Sequence, residues 1–288
     1  MTARQVLLSV CLIAQTSLAQ FSPALLQNKS YWSDGKSEID FYNAEFLREG
    51  QKYPCELMAI FTPKFVDATS FSPLKDQQRP ASLPVIEMNE FATVPRGLVT
   101  EQRSLRVLWR MDLMSTARIS FVGTDGLGQI MKSLSETREA NKVAWQYRSE
   151  SYHEAVDLQQ IDSPAGIALF YDELLLRVRT LDFSKNVGEA EIQVAPSLVA
   201  ATGKFGGFSP AKVSWKIGDR AINVDLRHEA GVDHFVLDRD FPFLLREWQM
   251  FDGSHLKMKN SLRADFTNYM KNGDRERALK DPMLRHPD

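Results

Sequence analysis

Residues 103–111 read RSLRVLWRM and residues 142–148 read KVAWQYR. In the first stretch Leu105, Val107 and Trp109 stand two apart; in the second, Val143, Trp145 and Tyr147 do. Successive side chains of an extended chain point to opposite faces. This period therefore gathers apolar groups on one face and polar ones on the other, the pattern of a half-buried β-strand. The same reading extends outward. Residues 53–61 (YPCELMAIF) form a short apolar run, 83–91 (LPVIEMNEF) alternate after Pro84, and 118–122 (RISFV) end in the turn-rich GTDGLG of 123–128. Further on, 191–194 is brief, 212–217 puts Val213, Trp215 and Ile217 on one side, and 221–226 alternates Ile222, Val224 and Leu226. Residues 235–237, 244–250 and 255–258 continue the series. Gly218-Asp219 and Asp252-Gly253 fall between such runs as hairpin turns.

One stretch breaks the period. Ser163-Pro164 supplies a helix start, and Leu169, Phe170, Leu174, Leu175 and Val178 recur at helical spacing, with Asp172, Glu173, Arg177 and Arg179 off that face. The expectation is an amphipathic helix over about 164–181, with a weaker helix over 267–270. The fold class is mainly β: curved antiparallel sheet in two strand-rich halves, about 31–160 and 188–262, joined by the helix and forming one domain over 20–271. Residues 272–288, highly charged and carrying Pro282 and Pro287, read as a flexible tail.

Composition bounds the class. The chain has 288 residues, 25% of them charged and 43% hydrophobic, with a formal net charge of -2, which excludes wholesale disorder and gives no basic excess for nucleic acid. Two cysteines exclude a disulfide scaffold and a four-cysteine zinc site. The first residues have a basic start, an apolar run over 6–14 and Ser17 and Ala19 before Gln20, the pattern of a secretory signal peptide over 1–19. Removing those 19 residues from 288 leaves 269, takes away Arg4 and so moves the net charge from -2 to -3. It also removes Cys11 and leaves Cys55 as the one thiol, read as a buried small hydrophobe. No other segment approaches membrane-spanning length.

Residues 31–38 read Tyr-Trp-Ser-Asp-Gly-Lys-Ser-Glu. Near the other end come Phe235 to Pro242 (FVLDRDFP), Leu245-Arg246-Glu247-Trp248, Asp252-Gly253 and Asn260 to Arg263 (NSLR). The chain resembles here a family of exported bacterial proteins of unknown function. Its members begin with Tyr-Trp-x-Asp-Gly-Lys-x-Glu and finish with a Pro-His-x-(x)-Leu-x-x-Trp-x-x-x-Asp-Gly hairpin. The resemblance implies export and a β-rich fold, and it implies no chemistry. Where members carry Glu-Trp-Cys-Gly-His, this chain has Leu127 and Gln129 at the Cys and His positions around Gly128, and Phe243 replaces the His after Pro242.

Five histidines are available for chemistry. His228 and His234, with Glu229, Asp233 and Asp238 nearby, could meet on a hairpin and hold a divalent metal. His153, with Ser149 or Ser151 and Glu154, could supply a hydrolase, although no Gly-x-Ser-x-Gly elbow is present. Tyr31, Trp32, Asp34, Gly35, Lys36 and Glu38 form a cluster of unassigned role, with the Trp as an anchor for the first strand. Trp109, Trp145 and Trp215 read as core, or as the lining of an apolar cavity. The expectation is an exported, soluble periplasmic or secreted envelope protein, non-catalytic and without cofactor or resident metal. It would bind a hydrophobic small molecule or an envelope protein. Two alternatives stay open: an interaction protein with a filled interior, and a divergent hydrolase using His153 or a metal at His228 and His234.

Overall fold

A computed structural model describes residues 21–285 apart from 23, 75–81, 125–127, 140–141, 152–155, 202–203, 270 and 272. The expected leader over 1–19 with Cys11, His153 and Glu154, the centre of the 123–128 turn, and His286 lie outside those residues. Two short helices, α1 (Ala24–Gln27) and α2 (Lys29–Ser33), lead into the strands. The first half holds β1 (Ser37–Arg48), β2 (Gln51–Asp67), β3 (Ser82–Arg96), β4 (Val99–Arg110), β5 (Ser115–Thr124), β6 (Gln129–Glu139), β7 (Lys142–Ser151) and β8 (Asp157–Asp162). The second holds β9 (Ala168–Phe170), β10 (Val187–Ala195), β11 (Ser209–Ile217), β12 (Ala221–His228), β13 (Gly231–Asp238), β14 (Leu245–Gln249) and β15 (His255–Ala264).

All of them join one sheet in the order β8 to β1, then β15 back to β9. Strands β1 to β8 and β10 to β15 are antiparallel meanders, and the halves meet where β1 pairs antiparallel with β15. Neighbours are antiparallel throughout except β9 and β10, which run parallel. The topology itself dictates curvature. The two edge strands, β8 and β9, are consecutive in the chain and separated only by residues 163–167. Fifteen strands about 4.8 Å apart would span roughly 67 Å if flat, whereas the six steps from Asp162 to Ala168 reach about 20 Å at most. The sheet must therefore roll until its edges approach.

Side chains, not strand hydrogen bonds, close the seam. Gln159 of β8 exchanges two 3.0 Å bonds with the backbone of Phe205. Lys132 of β6 donates to the carbonyls of Leu198 and Val199 at 3.1 Å each, and to that of Ala201. Trp145 meets Phe170 edge to face at 4.5 Å.

The segment expected as an amphipathic helix differs. Residues 168–170 are strand, and only 171–180 are helical: a 3-10 turn (Tyr171–Glu173), α3 (Leu174–Arg177) and a second 3-10 turn (Val178–Thr180). Nor is it amphipathic, because every residue from 172 to 180 is buried. It threads the lumen of the rolled sheet, so its charged groups find partners inside. Arg179 pairs with Glu38 at 2.6 and 2.9 Å and donates to the Pro242 carbonyl, Glu173 accepts from Thr116, and Arg177 donates to the Met114 carbonyl and covers the Phe21 ring. Buried charges persist only when paired in this way.

The tail also differs from expectation. Asp274–Lys280 forms α4, and Ala278 packs with Ile39, Phe41, Ile60, Leu262 and Ala264 in a small cluster apart from the main core. The weaker helix over 267–270 is a 3-10 turn at Phe266–Asn268. Among the described residues no helix is long and apolar enough to cross a membrane.

Candidate functional site

Strand pairing lays the luminal side chains out in rows. One row runs Glu90, Leu105, Phe121, Lys132 and Ser149 across β3 to β7. The next row toward the hairpin ends runs Leu57, Ala92, Arg103, Gly123, Ile130 and Ser151. Every residue of both rows lines a cavity of about 1380 Å³. The cavity occupies one end of the roll, where β1 to β2, β3 to β4, β12 to β13 and β14 to β15 turn, and it is partly open to solvent. Tyr171 and Asp172, at the start of the lumen-threading segment, form part of its wall. The opposite end is plugged by that segment, with α1 and α2 packed beside it through Phe21, which bridges Leu181, and Trp32, which bonds the Leu25 carbonyl.

The wall is mostly apolar but carries placed charge. Glu101 sits among three guanidiniums: Arg103 Nε at 2.5 Å, Arg48 Nη1 at 3.1 Å and Arg96 Nη1 at 3.7 Å. Arg103 is the buried member, with 9% of its side chain exposed, and its Nη2 has no hydrogen-bond partner among the described residues. Burial pushes the Glu90 carboxyl up to about 8, with the Asp172 charge adding to the rise. Burial likewise lifts Asp172 to about 6, although the Ser197 hydroxyl and the Leu198 N–H both donate to it.

Asp233 is a fully buried hub just behind this wall. It accepts from Tyr171 Oη at 2.5 Å, Trp248 Nε1 at 3.0 Å and the Phe251 N–H at 3.3 Å, and it pairs with His228 Nε2 at 2.7 Å. His234 lies on the other face of β13, exposed and bonded to Asp225 at 2.8 Å. The expected metal pair is thus corrected: adjacent strands place His228 inward and His234 outward, so the two rings cannot share an ion. Among the described residues no group of three metal-ligating side chains converges. Ser149 and Ser151 do line the cavity.

The three tryptophans are core and do not line the cavity. Trp109, Trp145 and Trp215 are 0%, 5% and 3% exposed and belong to the main hydrophobic cluster, deeper in the roll than the cavity. Trp248 is the tryptophan that lines it.

The N-terminal cluster is structural. Asn28 caps α2 by accepting from the Tyr31 N–H. Trp32 donates to the Leu25 carbonyl at 2.7 Å, and Tyr31 donates to Glu38. Gly35 takes a φ of +76° that other residues rarely adopt. There Asp34 accepts from the Lys36 N–H at 2.9 Å and pairs with Arg263 at 2.7 Å, while Arg263 lies over the Tyr31 ring. The motif locks the plugged end through Glu38 and Arg179, far along the roll from the cavity. The cavity residues Glu90, Glu101 and Arg103 were not singled out by sequence.

No family model matches the chain, and no curated protein matches it. Among solved structures it is similar to the β-barrel-like protein of domain of unknown function DUF1849 from Brucella abortus. That likeness has 8% identity and a TM-score of 0.45, and covers 78% of this chain and 97% of that one.

Proposed function

We propose that this chain is an exported, non-catalytic binding protein that takes a predominantly apolar small molecule into the lumen of its rolled sheet. The observation that carries the reading is the cavity of about 1380 Å³ with mostly apolar walls. Packed protein interiors keep few voids larger than a water molecule, and ligand sites run to roughly 300–1,000 Å³ with apolar linings and few polar groups. A lumen of this size suits a lipid-sized guest. The leader pattern over 1–19 supports export.

Native mass spectrometry of gently purified chain tests the reading, together with binding of the neutral fluorophore N-phenyl-1-naphthylamine. A bound mass that organic extraction removes, and probe fluorescence that the extracted lipid displaces, are expected. A clean unliganded mass with no probe binding would overturn it. N-terminal sequencing of the exported chain should begin at Gln20; an intact Met1 would sink the leader assignment.

A further inference from the structure

We propose that the ligand is an amphiphile whose oxyanion head, a carboxylate or a phosphate, docks against Arg103 with Arg48 and Arg96 beside it. This rests on the luminal reading above and names the ligand's chemistry. Three observations converge. First, three guanidiniums surround the single carboxylate of Glu101, which leaves the cluster with excess positive charge. Second, Arg103 lines the cavity with 9% of its side chain exposed, and its Nη2, itself buried, has no partner among the described residues, so a desolvated donor lies just beneath the cavity wall. Leaving such a donor unmet is costly, and a charge-assisted bond to an oxyanion would satisfy it.

Third, the neighbours of Arg103 in its row are Ala92 and Gly123, the two smallest side chains there, with the Phe121 ring leaning over Gly123 and the Phe46 ring 4.9 Å from the guanidinium, so the charge stands among apolar rings. The next row inward offers Leu105 and Phe121 to an apolar body. Of the other wall carboxylates, burial favours the neutral form of Glu90 and Asp172, while Glu229 and Asp252 are exposed in the β12–β13 and β14–β15 turns, where water and salt screen them. Glu49 is exposed in the turn after Arg48.

The test is competition against N-phenyl-1-naphthylamine on the full chain with three guests of one tail: oleate, oleyl phosphate and oleyl alcohol. At least one anion should displace the probe at about ten-fold lower concentration than the alcohol, the worth of one charge-assisted bond. R103M should abolish that preference, so that on this variant the anions compete no better than the alcohol. E101Q removes the internal competitor and should tighten anion binding several-fold, a gain that a merely structural role for the cluster would not produce; it decides the matter if R103M fails to fold. If the alcohol competes as well as both anions, or E101Q gains nothing, the anion inference falls while the luminal reading stands. If the probe does not bind and no guest does, the luminal reading falls and takes the inference with it.

Discussion

The ion pair between Arg179 and Glu38 joins the lumen-threading segment to β1, and removing one partner should be among the most damaging single changes in the chain. The side chains are 1% and 0% exposed. Two bonds of 2.6 and 2.9 Å link them, and two more, at 3.2 and 3.0 Å, run from Arg179 to the Pro242 carbonyl. Unit charges about 4 Å apart attract by about 4 kcal/mol at an effective dielectric constant of about 20. Truncating one partner of a buried pair typically costs about 3–5 kcal/mol, because the other charge stays buried alone. Here the penalty is compounded: Asp40 stands beside Glu38, and burial together with the Glu38 charge pushes Asp40 up to about 8, with Arg179 the cation restraining that rise.

We expect Arg179→Met to lose about 4 kcal/mol of unfolding free energy in urea at neutral pH. Glu38→Gln should lose a comparable amount, and the double variant far less than the sum. A loss under about 1 kcal/mol for Arg179→Met, or additive effects in the double variant, would refute the reasoning, since it would mean that the pair merely breaks even against its desolvation.

Four further outcomes follow from named contacts. Glu90 titrates near 8 in the folded chain against about 4.5 when unfolded; its contribution to stability is complete below about 4.5 and lost as pH rises through about 8. At about 1.4 kcal/mol per pH unit the ceiling is ~5 kcal/mol, and solvent in the cavity cuts this to ~1–2. Glu90→Gln should therefore raise the melting temperature more at pH 9 than at pH 5, and equal shifts would count against it. Cys55, expected buried, is half-buried against the core, and that partial burial with the Glu101 charge pushes its thiol up to about 11, so iodoacetamide at pH 8 should alkylate it ~100-fold more slowly than an ordinary cysteine; matching rates would contradict that environment. A Cβ on Gly188 would lie 2.1 Å from Trp215 Cζ2, so Gly188→Ala should cost ~2–4 kcal/mol and shift tryptophan fluorescence. Lys132→Met removes the donor that ties β6 to the carbonyls of Leu198, Val199 and Ala201; hydrogen exchange over 197–201 should accelerate, and unchanged protection would show that the seam has another fastening.

Strand existence was legible where the inward phase is apolar throughout, as with Val213 and Trp215 of β11 or Ile222, Val224 and Leu226 of β12. It failed where charge faces inward. In β1 the luminal phase is Glu38, Asp40, Tyr42 and Ala44, so a correct alternation reads as noise unless Arg179 is known to wait inside. In β6 the luminal residues include Lys132, whose amine serves distant carbonyls. The helix over 164–181 was misjudged for a related reason. Asp172, Glu173, Arg177 and Arg179 look like a solvent face, and only the rolled sheet, a product of pairings more than a hundred residues apart, converts that face into interior.

The cavity had a legible signature in the strands that were read correctly. Following the phase of Trp109, Val107 and Leu105 backward by two and four residues gives Arg103 and Glu101. Following Trp145 and Tyr147 forward gives Ser149 and Ser151, and Ile119 and Phe121 lead to Gly123. Each stripe turns small or polar without leaving the inner face, and antiparallel pairing brings all three changes to the same end of the roll. A filled interior would gain by continuing the apolar phase to the last inward position, because each buried aliphatic side chain contributes about 1.5–3 kcal/mol. Three strands, β4, β5 and β7, forgo that gain at one level, and β4 places a buried guanidinium there instead, which is why the roll stays open at that end.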